Sequence, residues 1–160
     1  MNCTPEMLRL YAVTDRAWVG AQTLPQQVEA ALKGGATCVQ LREKHLDDAA
    51  LRAEALEISA LCKQYHVPFI LNDNVALAAE CGADGVHLGQ EDMDPAQARQ
   101  ILGPDAIIGV SAHSVAEAKA AVAAGADYLG CGAMFATTTK TDTTTLPKET
   151  LRAICEAVPV

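Results

Sequence analysis

Charged and amide residues follow three short apolar runs of this sequence, and their chemistry suits a metal ion and a phosphate group. Asn72 and Asp73 follow one run, Asp92 lies just beyond a second, and Arg42 and Lys44 follow a third. Each run has the length and composition of a buried strand. Ligands of parallel α/β proteins bind at the carboxyl edge of the sheet. Carboxylates and cations gathered at that edge predict a metal ion together with a phosphate-bearing substrate.

The cationic group has strand spacing. Gln40, Arg42 and Lys44 are two residues apart, which places them on one face of a strand, with Leu41 and Glu43 on the other. Arginine offers a planar fork of donors and lysine a compact charge, so this face suits a phosphate dianion. The same pattern fits an exposed strand end with solvated charges, and the spacing alone does not separate the two.

Two aspartates are the candidate metal ligands. Mg²⁺ prefers oxygen ligands and is commonly held by one or two carboxylates plus substrate phosphates, which Asp73 and Asp92 would satisfy. The structural alternative is that Asp73 caps the helix beginning near Asn74 and that Asp92 lies in an ordinary turn.

Ser111 and three glycines extend the candidate site. Ser111 ends an apolar run and either donates to a phosphate or helps to cap the next helix. Gly109 shares its face, and Gly130 and Gly132 share a face on the following run. Gly109 is expected to leave a small gap in the pocket, and Gly130 and Gly132 leave room for a ligand or reflect tight packing.

Two further features have both a functional and a structural interpretation. Residues 135–145 hold seven threonines and Lys140, which predicts a loop that closes over phosphate and excludes water, or else a polar linker. His87 lies mid-strand, where histidine is more often a core residue than a catalytic one. The sequence contains no HExxH, P-loop or GxGxxG motif.

The elements that position these residues alternate between strand and helix. The predicted strands cover residues 8–14, 37–42, 68–72, 85–88, 107–111 and 127–131. A helix is predicted over 47–65, and others begin at Asp94, at Ser114 with a capping box to Glu117, and at Pro147. A Gly-Ala turn into a strand recurs from Gly35, Gly82 and Gly125, so the chain repeats βα units in pairs. Such an array predicts a parallel sheet.

Composition limits the class of protein. The 160 residues suffice for one domain, and a net charge of −8 without a long basic run argues against nucleic-acid binding. The six cysteines form no C-x-x-C pair, and four lie in or beside apolar runs, which is typical of buried free thiols. No apolar stretch reaches membrane-spanning length. We expect a soluble cytoplasmic protein that does not bind membranes.

Taken together, these residues resemble the thiamine phosphate synthase family over nearly the whole chain, from residue 10 to residue 160. Several motifs in the same order carry the resemblance: 10–15, 39–44, 71–73, 85–90 with Asp92, 109–111 with 113–114, and 127–140. The resemblance implies a (βα)8 TIM-barrel fold. It also implies a transferase that joins a pyrimidine diphosphate to a thiazole phosphate and releases pyrophosphate.

The resemblance also implies roles for individual residues. Mg²⁺ would be held by Asp73 and Asp92. The diphosphate would be bound, and its departure assisted, by Arg42, Lys44, Ser111 and Lys140. The pyrimidine diphosphate would also contact Gln40 and Asn72, and the closing loop would present Thr137 and Thr139. No protein nucleophile is required, and the partners are small molecules, with self-association left open.

The sequence departs from the family at its C-terminal end. The family continues beyond a Val-Pro-Val segment into a seventh and an eighth unit, whose loops bind the thiazole phosphate. We therefore expect residues 1–160 to be one C-terminally truncated barrel domain of six βα units, with strand seven starting at Val158. Two alternatives stay open: a thiazole tautomerase-like paralogue, which the alanine at position 133 argues against, and a non-catalytic remnant.

Overall fold

A computed structural model describes residues 3–136 and 145–160 and shows strands and helices in strict alternation. The strands are β1 (Tyr11–Val13), β2 (Cys38–Leu41), β3 (Phe69–Asn72), β4 (Gly85–Leu88), β5 (Ile107–Ser111) and β6 (Tyr128–Gly130). The helices are α1 (Leu24–Lys33), α2 (Asp48–Tyr65), α3 (Val75–Cys81), α4 (Pro95–Leu102), α5 (Val115–Ala123) and α6 (Lys148–Ala157), with a 3₁₀ turn at Arg16–Trp18. The described residues therefore form six βα units, as the sequence predicts.

The six strands form one parallel sheet in sequential order, and this sheet is strongly curled. In a flat sheet β1 and β6 would lie about 24 Å apart, given about 4.8 Å between neighbouring strands. The hydroxyl oxygens of Tyr11 on β1 and Tyr128 on β6 are instead 2.6 Å apart. The sheet thus bends into most of a barrel wall, which confirms the predicted incomplete barrel.

Strand residues alternate between the inside of this wall and the helices outside. On β2, Val39 and Leu41 belong to the main apolar core, which also contains residues of α1 to α4. Cys38 and Gln40 lie between them in sequence and face the interior. The alternation assumed for Gln40, Arg42 and Lys44, the cationic stripe, therefore holds within β2.

The N-terminal segment closes the bottom of the curled sheet. Cys3 and Met7 pack against the interior residues Cys38, Ile70 and Ile107 in a separate buried cluster. An apolar floor at the amino ends of the strands leaves the polar residues at their carboxyl ends.

The N-caps predicted at Asp94 and Ser114 are confirmed, and Asp47, predicted as the first helical residue, is a third N-cap. The Asp47 side chain accepts from the N–H of Ala50, and the Asp94 side chain accepts from the N–H groups that follow Pro95. Ser114 accepts from the N–H of Glu117 at 3.2 Å. The predicted capping box is incomplete, because the Glu117 carboxylate instead accepts from the N–H of His113 at 2.7 Å.

Two strand predictions need correction. The first strand begins at Tyr11 rather than at residue 8, because residues 5–10 form turns. Residues 158–160 do not form a strand in the structure. Val158 has extended dihedral angles, but no described residue pairs with it. An extended segment becomes a strand only when a neighbour completes its hydrogen bonds.

The cysteines are free thiols, as predicted, and Cys3, Cys38, Cys62 and Cys81 are buried. Burial raises the pKa of Cys38 and of Cys62 to about 12, so both stay protonated at neutral pH. No helix in the described ranges is long and apolar enough to cross a bilayer.

Candidate active site

A cavity of about 840 Å³ opens at the carboxyl ends of the strands. It is lined by every predicted site residue that the structure describes: Gln40, Arg42, Lys44, Asn72, Asp73, Asp92 and Ser111. Residues from four different strand ends thus meet in one place. The predicted residues Thr137, Thr139 and Lys140 lie outside the described residues and stay predictions.

Backbone and side-chain contacts hold the cationic stripe in place. The N–H of Arg42 donates to Thr14 Oγ1 at 2.9 Å, and Thr14 is itself buried. Glu43 points away from the cavity to Arg16, with 3.0 Å between Arg16 Nη2 and Glu43 Oε1. The side chain of Glu43 is only 5% exposed, so this ion pair anchors the strand end from behind. Lys44 and Arg42 consequently face the cavity, as predicted.

Asp73 has a left-handed backbone and no capping role. Its φ is +63°, a conformation that costs an ordinary residue about 1–2 kcal/mol. Its N–H donates to the carbonyl of His87 at 2.9 Å, and its Oδ2 accepts from Lys44 Nζ at 2.8 Å. The cap of α3 is Asn74, whose Oδ1 accepts from the N–H of Leu77. The capping interpretation of Asp73 is therefore wrong.

Asp92 closes a turn and also lines the cavity. Its Oδ2 accepts from the N–H of Gly89 at 2.6 Å, so the turn interpretation is correct as far as it goes. Partial burial raises the pKa of Asp92, and the neighbouring Asp73 carboxylate raises it further, against opposing contributions from the Gly89 N–H and Lys44. The two carboxylates are therefore close enough to repel each other, which is the arrangement a shared cation relieves.

Ser111 belongs to the cavity wall. Ser114, three residues later, is the N-cap of α5, so the capping alternative for Ser111 is wrong. The Gln90 side chain donates to the Ser111 carbonyl at 2.6 Å and braces this strand end.

A chain of hydrogen bonds crosses the wall beneath the cavity. Gln40 Nε2 donates to Tyr11 OH at 2.9 Å, and Tyr11 OH lies 2.6 Å from Tyr128 OH. Tyr128 OH is 3.1 Å from His87 Nδ1, and His87 Nε2 is 3.0 Å from Ser111 Oγ. The chain links β2, β1, β6, β4 and β5. Burial raises the pKa of both tyrosines, so both hydroxyls keep their protons at neutral pH.

The glycines on β5 and β6 make room for this chain rather than for a ligand. A Cβ at Gly109 would lie 2.0 Å from Cζ of Tyr128, and a Cβ at Gly130 would lie 3.0 Å from Cε1 of His87. The gap expected at Gly109 is therefore filled by the Tyr128 ring, and for Gly130 the tight-packing interpretation is correct. Gly132 lines the cavity with no heavy atom closer than 3.7 Å to a built Cβ, so open space remains there.

Sequence reasoning missed Tyr11, Tyr128, Thr14 and Arg16. Tyr128 was detectable, because it lies two residues before Gly130 and shares its inward face. Thr14 and Arg16 act through contacts with residues more than 25 positions away in the chain, which no local pattern reveals.

A second cavity, of about 200 Å³, lies between β1 and α1. Its described lining is mostly apolar and includes Val13, Trp18 and Val28, with Asp15 as its charged residue. It contains none of the predicted site residues, so the chemistry belongs to the larger cavity.

Comparison with known proteins identifies the family of the chain. The family model for thiamine monophosphate synthase matches residues 10–160. The chain belongs to the thiamine monophosphate synthase family. It is 45% identical over 151 residues to a thiamine-phosphate synthase of Ruminiclostridium cellulolyticum, covering 94% of this chain and 72% of that protein.

Two further similarities support family membership. The chain is 44% identical over 157 residues to a probable chloroplastic thiamine biosynthetic bifunctional enzyme of Oryza sativa subsp. japonica, covering 96% of this chain and 28% of that protein. The solved structure of a thiamine phosphate pyrophosphorylase from Pyrococcus furiosus superposes with a TM-score of 0.84 at 37% identity. That match covers 97% of this chain and 73% of the solved chain.

Proposed function

We propose that this protein is a transferase that joins 4-amino-2-methyl-5-hydroxymethylpyrimidine diphosphate to hydroxyethylthiazole phosphate. The products are thiamine phosphate and pyrophosphate, and the reaction belongs to thiamine biosynthesis, in the cytoplasm. One observation carries the proposal: seven residues expected from the family, drawn from four strand ends, line a single cavity. Membership in the family supports it independently.

Arg42 and Lys44 are the proposed diphosphate ligands. Arg42 lines the cavity, and no carboxylate among the described residues pairs with its guanidinium. Lys44 pairs with Asp73 at 2.8 Å, but both side chains are partly exposed, so an incoming anion can compete for the ammonium. These two cations give a protein of net charge −8 a local site for a polyanion.

The carboxylates fit a magnesium ion that is shared with the substrate. Asp73 and Asp92 offer hard oxygen ligands close together, and Asn72 lies on the same wall. Among the described residues, no group of three or more His, Cys, Asp or Glu side chains is arranged to hold a metal ion by itself. Two carboxylates would leave coordination positions on Mg²⁺ for water and phosphate oxygens. Bound Mg²⁺ would supply charge neutralisation for the departing diphosphate.

The protein groups favour departure of pyrophosphate without a covalent enzyme intermediate. The bond between the pyrimidine methylene and the diphosphate oxygen breaks, and pyrophosphate leaves with the electron pair. The methylene then accepts the lone pair of the thiazole nitrogen. Arg42, Lys44, Ser111 and Lys140 would bind the leaving group and stabilise its growing charge. Cys131 also lines the cavity, but burial raises the pKa of its thiol, so it is protonated at neutral pH, and the thiolate is the nucleophilic form.

The remaining roles follow the same assignment. Gln40 and Asn72 would hold the pyrimidine diphosphate, while Thr137 and Thr139 would line a closing loop that excludes water.

The test is product formation by the purified chain. The pyrimidine diphosphate, the thiazole phosphate and Mg²⁺ are supplied, and thiamine phosphate is measured by mass, with pyrophosphate as a second product. The expected result is equimolar release of both. Conversion of a thiazole isomer without pyrophosphate release would indicate the tautomerase alternative. A folded chain that forms neither product would indicate a non-catalytic chain.

A further inference from the structure

The hydrogen-bonded chain beneath the cavity has a direction that can be worked out from its donors. Gln40 approaches Tyr11 with its amide nitrogen, which can only donate. Tyr11 therefore accepts a hydrogen bond from Gln40 and donates one to the hydroxyl oxygen of Tyr128, 2.6 Å away. Tyr128 thus accepts a hydrogen bond from Tyr11 and donates one to His87 Nδ1 at 3.1 Å.

This direction fixes the state of His87. A ring nitrogen that accepts from Tyr128 carries no proton, so the neutral imidazole carries its proton on Nε2. Nε2 lies 3.0 Å from Ser111 Oγ, and it donates there. In the opposite direction, the Tyr11 proton would point at the Gln40 amide nitrogen, which accepts nothing. Among the described residues, that direction would leave the Tyr11 proton without an acceptor in the buried part of the chain, whereas the chosen direction leaves over only the proton of Ser111, at the cavity.

The tautomer of His87 determines which hydrogen bonds the Ser111 hydroxyl can make. Its oxygen accepts from His87, so its own hydroxyl proton is left for another acceptor. Ser111 lines the cavity, and no described side chain accepts that proton. A hydroxyl that already accepts a hydrogen bond is also polarised toward donating one.

We infer that His87 is a positioning residue for Ser111. As the Nε2–H tautomer it turns the Ser111 hydroxyl proton into the cavity, toward an anionic oxygen of the ligand. The inference deepens the proposed function and rests on it for the identity of that oxygen, which belongs to a diphosphate. Gly130 leaves the space that the imidazole of His87 needs, since a Cβ there would lie 3.0 Å from the ring.

The tautomer is measured without any ligand. The long-range ¹⁵N–¹H spectrum of the ¹⁵N-labelled chain is recorded at a pH above 8, where an ordinary imidazole is neutral. The His87 signals are assigned by their loss in His87→Gln, and exposed His66 serves as the internal reference. A proton on Nε2 is the expected result. A proton on Nδ1 would overturn the inference, because Ser111 would then donate to His87.

The effect on binding is measured with inorganic pyrophosphate and Mg²⁺ by calorimetry. Ser111→Ala should weaken binding by roughly tenfold or more, the usual effect of losing a hydrogen bond to a charged group. His87→Leu should weaken it about fivefold, and His87→Gln, whose amide can donate to Ser111, should restore most of the loss. His66→Asn, a substitution in an exposed turn, is the matched control.

The double variant separates positioning from a general structural effect. Adding His87→Leu to Ser111→Ala should cause no further loss, because the residue it acts through is gone. Multiplication of the two losses would overturn the inference. A wild-type chain that binds no pyrophosphate would contradict the proposed function, and the tautomer of His87 would still support or overturn this inference by itself.

Discussion

Replacing Gly109 by alanine tests whether this glycine exists to accommodate an aromatic ring. Gly109 lies beside Tyr128 across the β5–β6 pair. An added Cβ would lie 2.0 Å from Cζ and 2.3 Å from the hydroxyl oxygen of Tyr128. Carbon atoms pack comfortably at about 3.5–4.0 Å, so the ring would have to retreat by about 1.5 Å.

The cost follows from what holds that ring. Tyr128 is 6% exposed, and its hydroxyl is bonded to Tyr11 and His87. Moving the ring sacrifices two buried hydrogen bonds of about 1 kcal/mol each, and overpacking adds about 1–3 kcal/mol. We therefore expect Gly109→Ala to lower the free energy of unfolding by about 3–5 kcal/mol.

Urea unfolding followed by circular dichroism measures this change. For a slope of about 2 kcal/mol per M, the midpoint should fall by about 1.5–2.5 M. Gly132→Ala is the matched control, because its nearest neighbour would be 3.7 Å away and its backbone is not left-handed. If Gly109→Ala unfolds within about 0.5 kcal/mol of that control, the steric reasoning is refuted.

Three further predictions concern charges. Asp92→Asn should abolish product formation while keeping the fold. Because the folded state raises the pKa of Asp92, the free energy of unfolding of the wild-type protein falls as pH rises above the unfolded pKa of about 3.8. Asp92→Asn lacks this loss, so its stability relative to wild type should increase from pH 4 to pH 7 in urea titrations. Lys44→Met should weaken pyrophosphate binding more than tenfold in calorimetry, yet change stability by less than about 1 kcal/mol, because its pair with Asp73 is partly exposed. Arg99→Met should cost about 2–3 kcal/mol in urea unfolding, because it leaves the Asp127 carboxylate, whose side chain is 12% exposed, without its cation and, among the described residues, bonded only to the N–H of Ile108; turnover per folded molecule should be unchanged. Normal turnover of the first variant, normal binding by the second or full stability of the third would contradict the respective argument.

Much of the fold was accessible from the sequence because its signals are local. The strands at Gly85–Leu88 and Ile107–Ser111 match the prediction to the residue, and the helix caps at Asp94 and Ser114 were identified by residue type. The segment at 158–160 shows where local signals fail. Its residues are extended, but pairing depends on a neighbour that sequence pattern does not supply.

The candidate site was predictable to a similar degree and for a related reason. In a parallel array every strand ends at the same edge, so polar residues after different strands must converge there. That argument placed Arg42, Asp73 and Ser111 in one cavity. It did not show that Asn74, rather than Asp73, caps α3, because both residue types cap helices equally well.

The sequence by itself determined the order of the elements, the edge that carries the chemistry and the residue types available there. Only the tertiary structure decided that the sheet curls until Tyr11 on β1 meets Tyr128 on β6, 117 positions away. Curvature is a property of the whole sheet, and no window of sequence contains it. Because of that curvature, Tyr128 and His87 pack against Gly109 and Gly130, and His87 lies within hydrogen-bond distance of Ser111. The direction of the Ser111 hydroxyl proton therefore depends on contacts that exist only in the folded chain.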